Sequence, residues 1–239
     1  LINFSCDASN SWNLLNISLY STIPWTYPND SSMVLWMHFD NDSNYGENDT
    51  RVYDFSGNGN NGTVYGATLN TAGLFNNSYF FNGSRADYIQ VFDSASLNFT
   101  NGVSVSAWVY ITSFDNLSKI ITNDEFLLYV DMDGSIISWL KSANQTISTP
   151  FWHWAGQSPP LAWLDNWHHL AMTYNGTENR SVYYYDGRVV ASNMDLSRGN
   201  LQPSSQNLRI GTENNIYFNG GIDELAVYNR TLNAGEIGQ

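Results

Sequence analysis

At 239 residues, with 42% apolar and 15% aromatic side chains, the chain can bury a sizeable core, which excludes a disordered polymer. A net charge of −13 with only two lysines, Lys119 and Lys141, offers no basic cluster for nucleic acid or anionic lipid. Charged residues make up only 13%, so the polar surface must come largely from Asn, Ser and Thr, which favour turns and strand ends over helix interiors.

Residues 1–22 read as two short strands, Leu1–Cys6 and Leu15–Tyr20, around a polar turn. Leu15, Ile17 and Leu19 fall on one face of the second. Two strands do not hold together alone in water, so this segment needs a partner sheet. Residues 23–32, with Pro24 and Pro28, read as a linker. From Met33 on, short strands recur between turn residues: Met33–Phe39, Thr63–Tyr65, Tyr79–Phe81, Tyr88–Val91, Val103–Ile111, Ile120–Thr122, Phe126–Val130 and Ile136–Leu140. They continue as His168–Tyr174, Val182–Tyr185, Arg188–Ser192, Leu208–Ile210 and Gly220–Val227. Val103, Val105, Ala107, Val109 and Ile111 alternate with polar and aromatic residues, the pattern of a strand with one buried face. Asp133-Gly134 and Asp186-Gly187 read as hairpin turns, since tight turns need positive φ. A helical period never lasts ten residues, and only Glu236-Ile237 suggests a terminal helical turn. The fold class is therefore all-β, a two-sheet antiparallel sandwich preceded by a short N-terminal β segment.

The compartment is read from modification signals. Asn-X-Ser/Thr occurs at Asn3, Asn16, Asn29, Asn41, Asn48, Asn61, Asn76, Asn82, Asn98, Asn116, Asn144, Asn175, Asn179 and Asn229. These 14 sites exceed the about five that 31 asparagines and this Ser/Thr content produce by chance. The expectation is a glycosylated extracellular or cell-surface protein. Cys6 is the lone cysteine, so no disulfide closes within the chain, and abundant sequons without disulfides suit an archaeal-type surface protein. No apolar run is long enough to cross a bilayer. Leu1 opens the sequence without Met or a basic stretch, as in a mature chain or a piece of a longer one.

Six segments, in order, resemble the laminin G-like jelly-roll domains of the concanavalin A-like superfamily. They are Asp54-Phe55-Ser56-Gly57-Asn58-Gly59-Asn60-Asn61-Gly62-Thr63, then Phe80-Phe81-Asn82-Gly83 with Tyr88-Ile89-Gln90-Val91, and then Val105-Ser106-Ala107-Trp108-Val109. Asn166-Trp167-His168-His169-Leu170-Ala171, Tyr185-Asp186-Gly187-Arg188-Val189-Val190, and the run from Gly220 to Leu232 complete the set. The resemblance covers about residues 33–239 and implies two antiparallel sheets packed face to face in a jelly roll. Residues 1–22 lie outside it. They resemble the last strands of an immunoglobulin-like domain; the alternatives are a donor strand for a neighbouring subunit and a strand folded onto its own jelly roll.

Calcium is the expected cofactor, in a structural role. It takes six to eight oxygens from carboxylates, amides and carbonyls. The 54–62 loop offers Asp54, Asn58 and Asn60, and the resemblance implies that Asp40 and Asp223 join them at one rim. The competing reading is a loop whose Asx side chains cap only its own backbone. The histidines, His38, His153, His168 and His169, have no zinc spacing. No strand carries the paired carboxylates of a glycosidase, and no Gly-x-Ser-x-Gly elbow is present, so no enzymatic activity is expected. The aromatic run Phe151, Trp152, Trp154 and Trp163 is the candidate contact for a glycan or a partner protein, against the alternative that the loop buries its own tryptophans. Together these features predict a recognition or structural module of a surface protein, serving adhesion or assembly with glycans, surface proteins or neighbouring copies. The alternative is a carbohydrate-binding module attached to a secreted glycoside hydrolase.

Overall fold

A computed structural model describes residues 30–83, 87–114, 117–142, 153–154, 163–194 and 199–237. All but Asp30 belong to the unit Ser31–Gln239. The proposed N-terminal strands and nearly all of the linker lie outside the described residues.

The strands run β1 (Met33–Met37), β2 (Arg51–Val52), β3 (Gly62–Tyr65), β4 (Thr68–Asn70), β5 (Ser78–Asn82), β6 (Tyr88–Val91), β7 (Gly102–Ile111), β8 (Ser118–Thr122) and β9 (Phe126–Val130). There follow β10 (Ile136–Leu140), β11 (His153–Trp154), β12 (Trp167–Asn175), β13 (Arg180–Tyr185), β14 (Arg188–Met194), β15 (Leu208–Ile210), β16 (Thr212–Glu213), β17 (Ile216–Tyr217) and β18 (Asn219–Tyr228). One sheet has the order β14-β13-β12-β7-β18-β5-β4, with β1 also on β18; the other is β11-β10-β9-β8-β15-β6-β3-β2. Every pairing is antiparallel, and the crossovers between distant segments are those of a jelly-roll sandwich.

Alternation explains why the sheets stack. In β7, Val103, Val105, Ala107, Val109 and Ile111 turn inward and are all buried. They meet Ile89, Val91, Ile120, Leu128, Val130 and Ile136 of the opposite sheet in one core. Each valine, leucine or isoleucine among them contributes about 1.5–3 kcal/mol on burial. A buried hydroxyl pair, Ser138 Oγ and Tyr183 Oη at 2.7 Å, ties β10 to β13 across the sandwich. The Asp186-Gly187 turn has φ of 48° and 72°, the two positive values of a type I′ hairpin.

All thirteen strands expected from Met33 on are present, some with shifted ends. Five more, β2, β4, β11, β16 and β17, have two or three residues each, too few to show a period of two. The terminal helical turn is α1 (Ala234–Ile237). Ile237 and Leu232 cover Ala171 and Tyr184 on the outer face of the first sheet. A two-pronged Arg230–Glu236 pair, at 2.8 and 3.0 Å, pins the turn there.

Candidate functional site

On the outer face of the first sheet, sequence alternation sets out a group of large, half-buried aromatic side chains. Trp108 and Tyr110 occupy the outward positions of β7, and Trp167 and His169 those of β12. The register aligns them in rows across the strands. One row reads Trp167, Tyr110, Gly221, Phe80. The next reads His169, Trp108, Asp223. Trp167 and Tyr110 have ring centroids 5.7 Å apart, and Trp108 and His169 5.4 Å. Phe75 adds an edge contact to Trp108 at 6.0 Å and is 44% exposed. Phe80, Trp108, Tyr110, Trp167 and His169 are all half-buried. Gly221 matters here for space: a Cβ on it would sit 2.7 Å from the Trp167 ring, so the missing side chain is what lets the indole lie across β18. Burial holds His169 below the usual imidazole range and favours its neutral ring.

An acidic rim borders this platform. Asp223 is fully buried and accepts the N–H groups of Leu74 and Phe75 through Oδ2 at 3.0 and 3.1 Å, and that of Glu224 through Oδ1 at 2.9 Å. Burial, reinforced by the charges of Glu224 and Asp40, pushes its pKa up to about 7. Burial likewise raises Asp40, which accepts the Asn77 N–H at 3.2 Å. Glu224 occupies a β-bulge, where the register against β7 slips between Asp223 and Ala226, and its φ of 48° is rare for a side-chain-bearing residue. The bulge turns its carboxylate onto β1. There it meets His38 Nδ1 at 2.7 Å and accepts the Trp36 indole N–H at 3.1 Å.

The five expected metal ligands do not form one site. Asp40 and Asp223 share the acidic rim. Asp54 ties its own loop to β1: Oδ1 accepts the N–H groups of Trp36 and Ser56, and Oδ2 accepts the Ser56 hydroxyl and the Asn60 N–H, all at 2.9–3.0 Å. Asn60 donates to Val34 O and Ser96 Oγ and accepts from Ser94 Oγ. Asn58 donates to Met33 O and Ser56 Oγ. The loop's side chains thus cap part of their own backbone and also bind β1 and the 94–96 segment, and these bonds explain how so glycine-rich a loop is fixed. Among the described residues no three His, Cys, Asp or Glu side chains converge as metal ligands.

The expected aromatic contacts fare differently. Trp163 is 1% exposed and packs on Phe114 and Tyr185, so it belongs to the core and not to a contact surface; the expectation for it is corrected. Phe151 and Trp152 lie outside the described residues, and Trp154 is described only as part of β11. The platform residues were missed as contacts, although bulky aromatics at the outward positions of an alternating strand were the available signal. Of the sequon asparagines, Asn48, Asn76, Asn82 and Asn229 are exposed, while Asn41, Asn61, Asn98, Asn175 and Asn179 are half-buried. Asn3, Asn16, Asn29, Asn116 and Asn144 lie outside the described residues.

Two stacked antiparallel sheets with this crossover pattern define a jelly-roll domain. The family model of the concanavalin A-like lectin/glucanases superfamily, Laminin_G_3, matches residues 81–238, and the chain belongs to that superfamily. Solved structures share the fold at low identity. The binding domain of Paraclostridial Mosquitocidal Protein 1 is 16% identical with a TM-score of 0.69, over 88% of this chain and 52% of that one. The Botulinum Neurotoxin serotype G binding domain is 18% identical with a TM-score of 0.64, over 86% of this chain and 50% of that one. The chain thus spans about half the length of these toxin domains. Domain 4 of AbnA, a GH43 extracellular arabinanase from Geobacillus stearothermophilus solved with arabinotriose, is 20% identical with a TM-score of 0.66, over 87% of this chain and 97% of that one. No curated protein matches the chain in sequence.

Proposed function

We propose that this domain is a non-catalytic glycan-recognition module that binds neutral sugar chains on the outer face of its first sheet. The observation that carries the reading is the row Trp167, Tyr110, Gly221, Phe80, flanked by Trp108 and Phe75. Aromatic rings held on a rigid sheet present flat apolar surfaces to the apolar faces of sugar rings at little entropic cost. The fold neighbours support the reading, because two of those named above are toxin binding domains and the third is a domain of an arabinanase solved with arabinotriose. Between the two functions expected from sequence, the platform favours the carbohydrate-binding module over adhesion or assembly. An extracellular setting follows from that role, with N-glycans at the exposed sequons Asn48, Asn76, Asn82 and Asn229.

Calcium enters the proposal in a narrower place than expected. Asp40 and Asp223 fit a hard cation, since their mutual repulsion and raised proton affinity are relieved by one, with backbone carbonyls of the rim completing the shell. Bound there, the ion would fix the 74–77 loop and so the position of Phe75.

Isothermal titration with neutral oligosaccharides, arabinotriose first, tests the glycan reading. Saturable binding is expected, with Trp167→Ala weakening it ten-fold or more at an unchanged unfolding temperature. Equal affinity in the variant overturns the reading. So does an absence of binding together with self-association through this face, which would instead support assembly.

A further inference from the structure

We propose that the opposite sheet carries a second, separate site for acidic glycans, in which Arg51 and Arg209 grip the carboxylates of uronic acid residues. The register sets the geometry. Arg51 pairs with Thr63, Thr63 with Gln90, and Gln90 with Arg209, so four neighbouring strands contribute one row. The inward positions beside them are Val52, Val64, Ile89, Val91, Leu208 and Ile210, all buried, which places the four polar residues on the outer face. Three strand spacings separate the two arginines, about 14 Å from backbone to backbone, enough to span more than one sugar ring.

Both arginines are exposed, and among the described residues neither guanidinium has an ion-pair or hydrogen-bond partner. On a chain of net charge −13, two unpaired guanidiniums in one row form a local patch of opposite sign. Guanidinium binds carboxylate in a planar two-pronged geometry that lysine cannot reproduce. Between the arginines, Thr63 and Gln90 have no side-chain partner among the described residues and suit sugar hydroxyls.

Apolar surface for stacking lies on both flanks of the row. Tyr65 and Tyr88 stack at 4.6 Å with their planes within 16°, and Tyr65 is 39% exposed. On the other flank Phe92 is 62% exposed and borders a groove of about 440 Å³ that also includes Arg51, Thr63 and Asn61. The groove is preformed, because the Asp54 and Asn60 hydrogen bonds fix the loop along its side. Asp93 is the acidic residue among the groove's lining and would serve there as a hydroxyl acceptor. Sugar-stacking rings on both sides of two guanidiniums select a uronic acid chain over a bare phosphate or sulfate.

The test uses the chain produced without N-glycans, so that Asn61 is unmodified, titrated with oligogalacturonate and with its methyl ester. Binding of the acid form is expected, at least ten-fold weaker for the ester and progressively weaker with added salt. The double variant Arg51→Gln, Arg209→Gln should lose it at an unchanged unfolding temperature, while Trp167→Ala leaves it intact. Equal affinity for acid and ester, retention in the double variant, no binding of the acid form, or equal affinity for dextran sulfate each overturns the proposal. Loss in Trp167→Ala would overturn the separateness of the two sites.

Discussion

Replacing Asp54 by alanine separates the two readings of the glycine-rich loop. The buried carboxylate accepts three backbone N–H groups and one hydroxyl, and its loss strands the buried N–H groups of Trp36 and Asn60. A buried donor left without a partner costs about 1–3 kcal/mol, so the variant should lose about 3–5 kcal/mol. For a domain of this size, at about 2–4 °C per kcal/mol, the unfolding temperature falls by about 6–20 °C. Asp54→Asn keeps the Oδ1 acceptor but aims a donor at the Asn60 N–H, and should lose roughly half as much. The assay is thermal unfolding followed by calorimetry, in excess Ca²⁺ and in EDTA. The Asp54→Ala deficit should be the same in both, because the carboxylate acts through hydrogen bonds. Wild type should lose about 2.7 kcal/mol in EDTA if Ca²⁺ is present at a hundred times its dissociation constant, and Asp223→Asn should abolish that response. A deficit for Asp54→Ala that vanishes in EDTA would make Asp54 a metal ligand and refute the reasoning.

Further outcomes follow from the same geometry. Asp223 and Glu125 both have pKa values pushed up to about 7 by burial, above their ordinary values of 3.8 and 4.5. A carboxyl raised on folding gives its full stability below the unfolded value and loses it as pH rises through the folded one. His169, lowered by burial, works the other way below about 6.5, but the two carboxyls raised to about 7 outnumber it. In EDTA the unfolding temperature should therefore be higher at pH 6 than at pH 8, and the opposite slope would show that these carboxyls are not desolvated as described. Gly221→Ala should push the Trp167 ring aside and weaken neutral glycan binding while the domain stays folded, as near-ultraviolet circular dichroism would report. Unchanged affinity would mean that the indole position over β18 is irrelevant to binding.

The local code was legible where a period could be counted. The alternation in Val103–Ile111 located a central strand, its buried face and, by difference, the outward positions of Trp108 and Tyr110. Turn chemistry was equally direct, because Asp186-Gly187 needs positive φ whatever surrounds it. The six ordered motifs point to the sandwich by themselves. Register was not legible. Nothing in the sequence says that Trp167 stands opposite Tyr110, or that Arg51, Thr63, Gln90 and Arg209 share one row, because those neighbours are set by pairings between segments up to 119 residues apart. The fate of a polar loop was hidden for the same reason. Asp54, Asn58 and Asn60 have the side chains of a calcium loop, and only the approach of Val34, Trp36, Ser94 and Ser96 spends their oxygens and amides on hydrogen bonds. Trp163 likewise could face a ligand or the core until the sandwich closed over it. Composition and period thus determined the class of fold and the inward faces, whose burial is a property of each strand. Tertiary pairing decided which outward side chains meet, and those meetings are what a binding surface consists of.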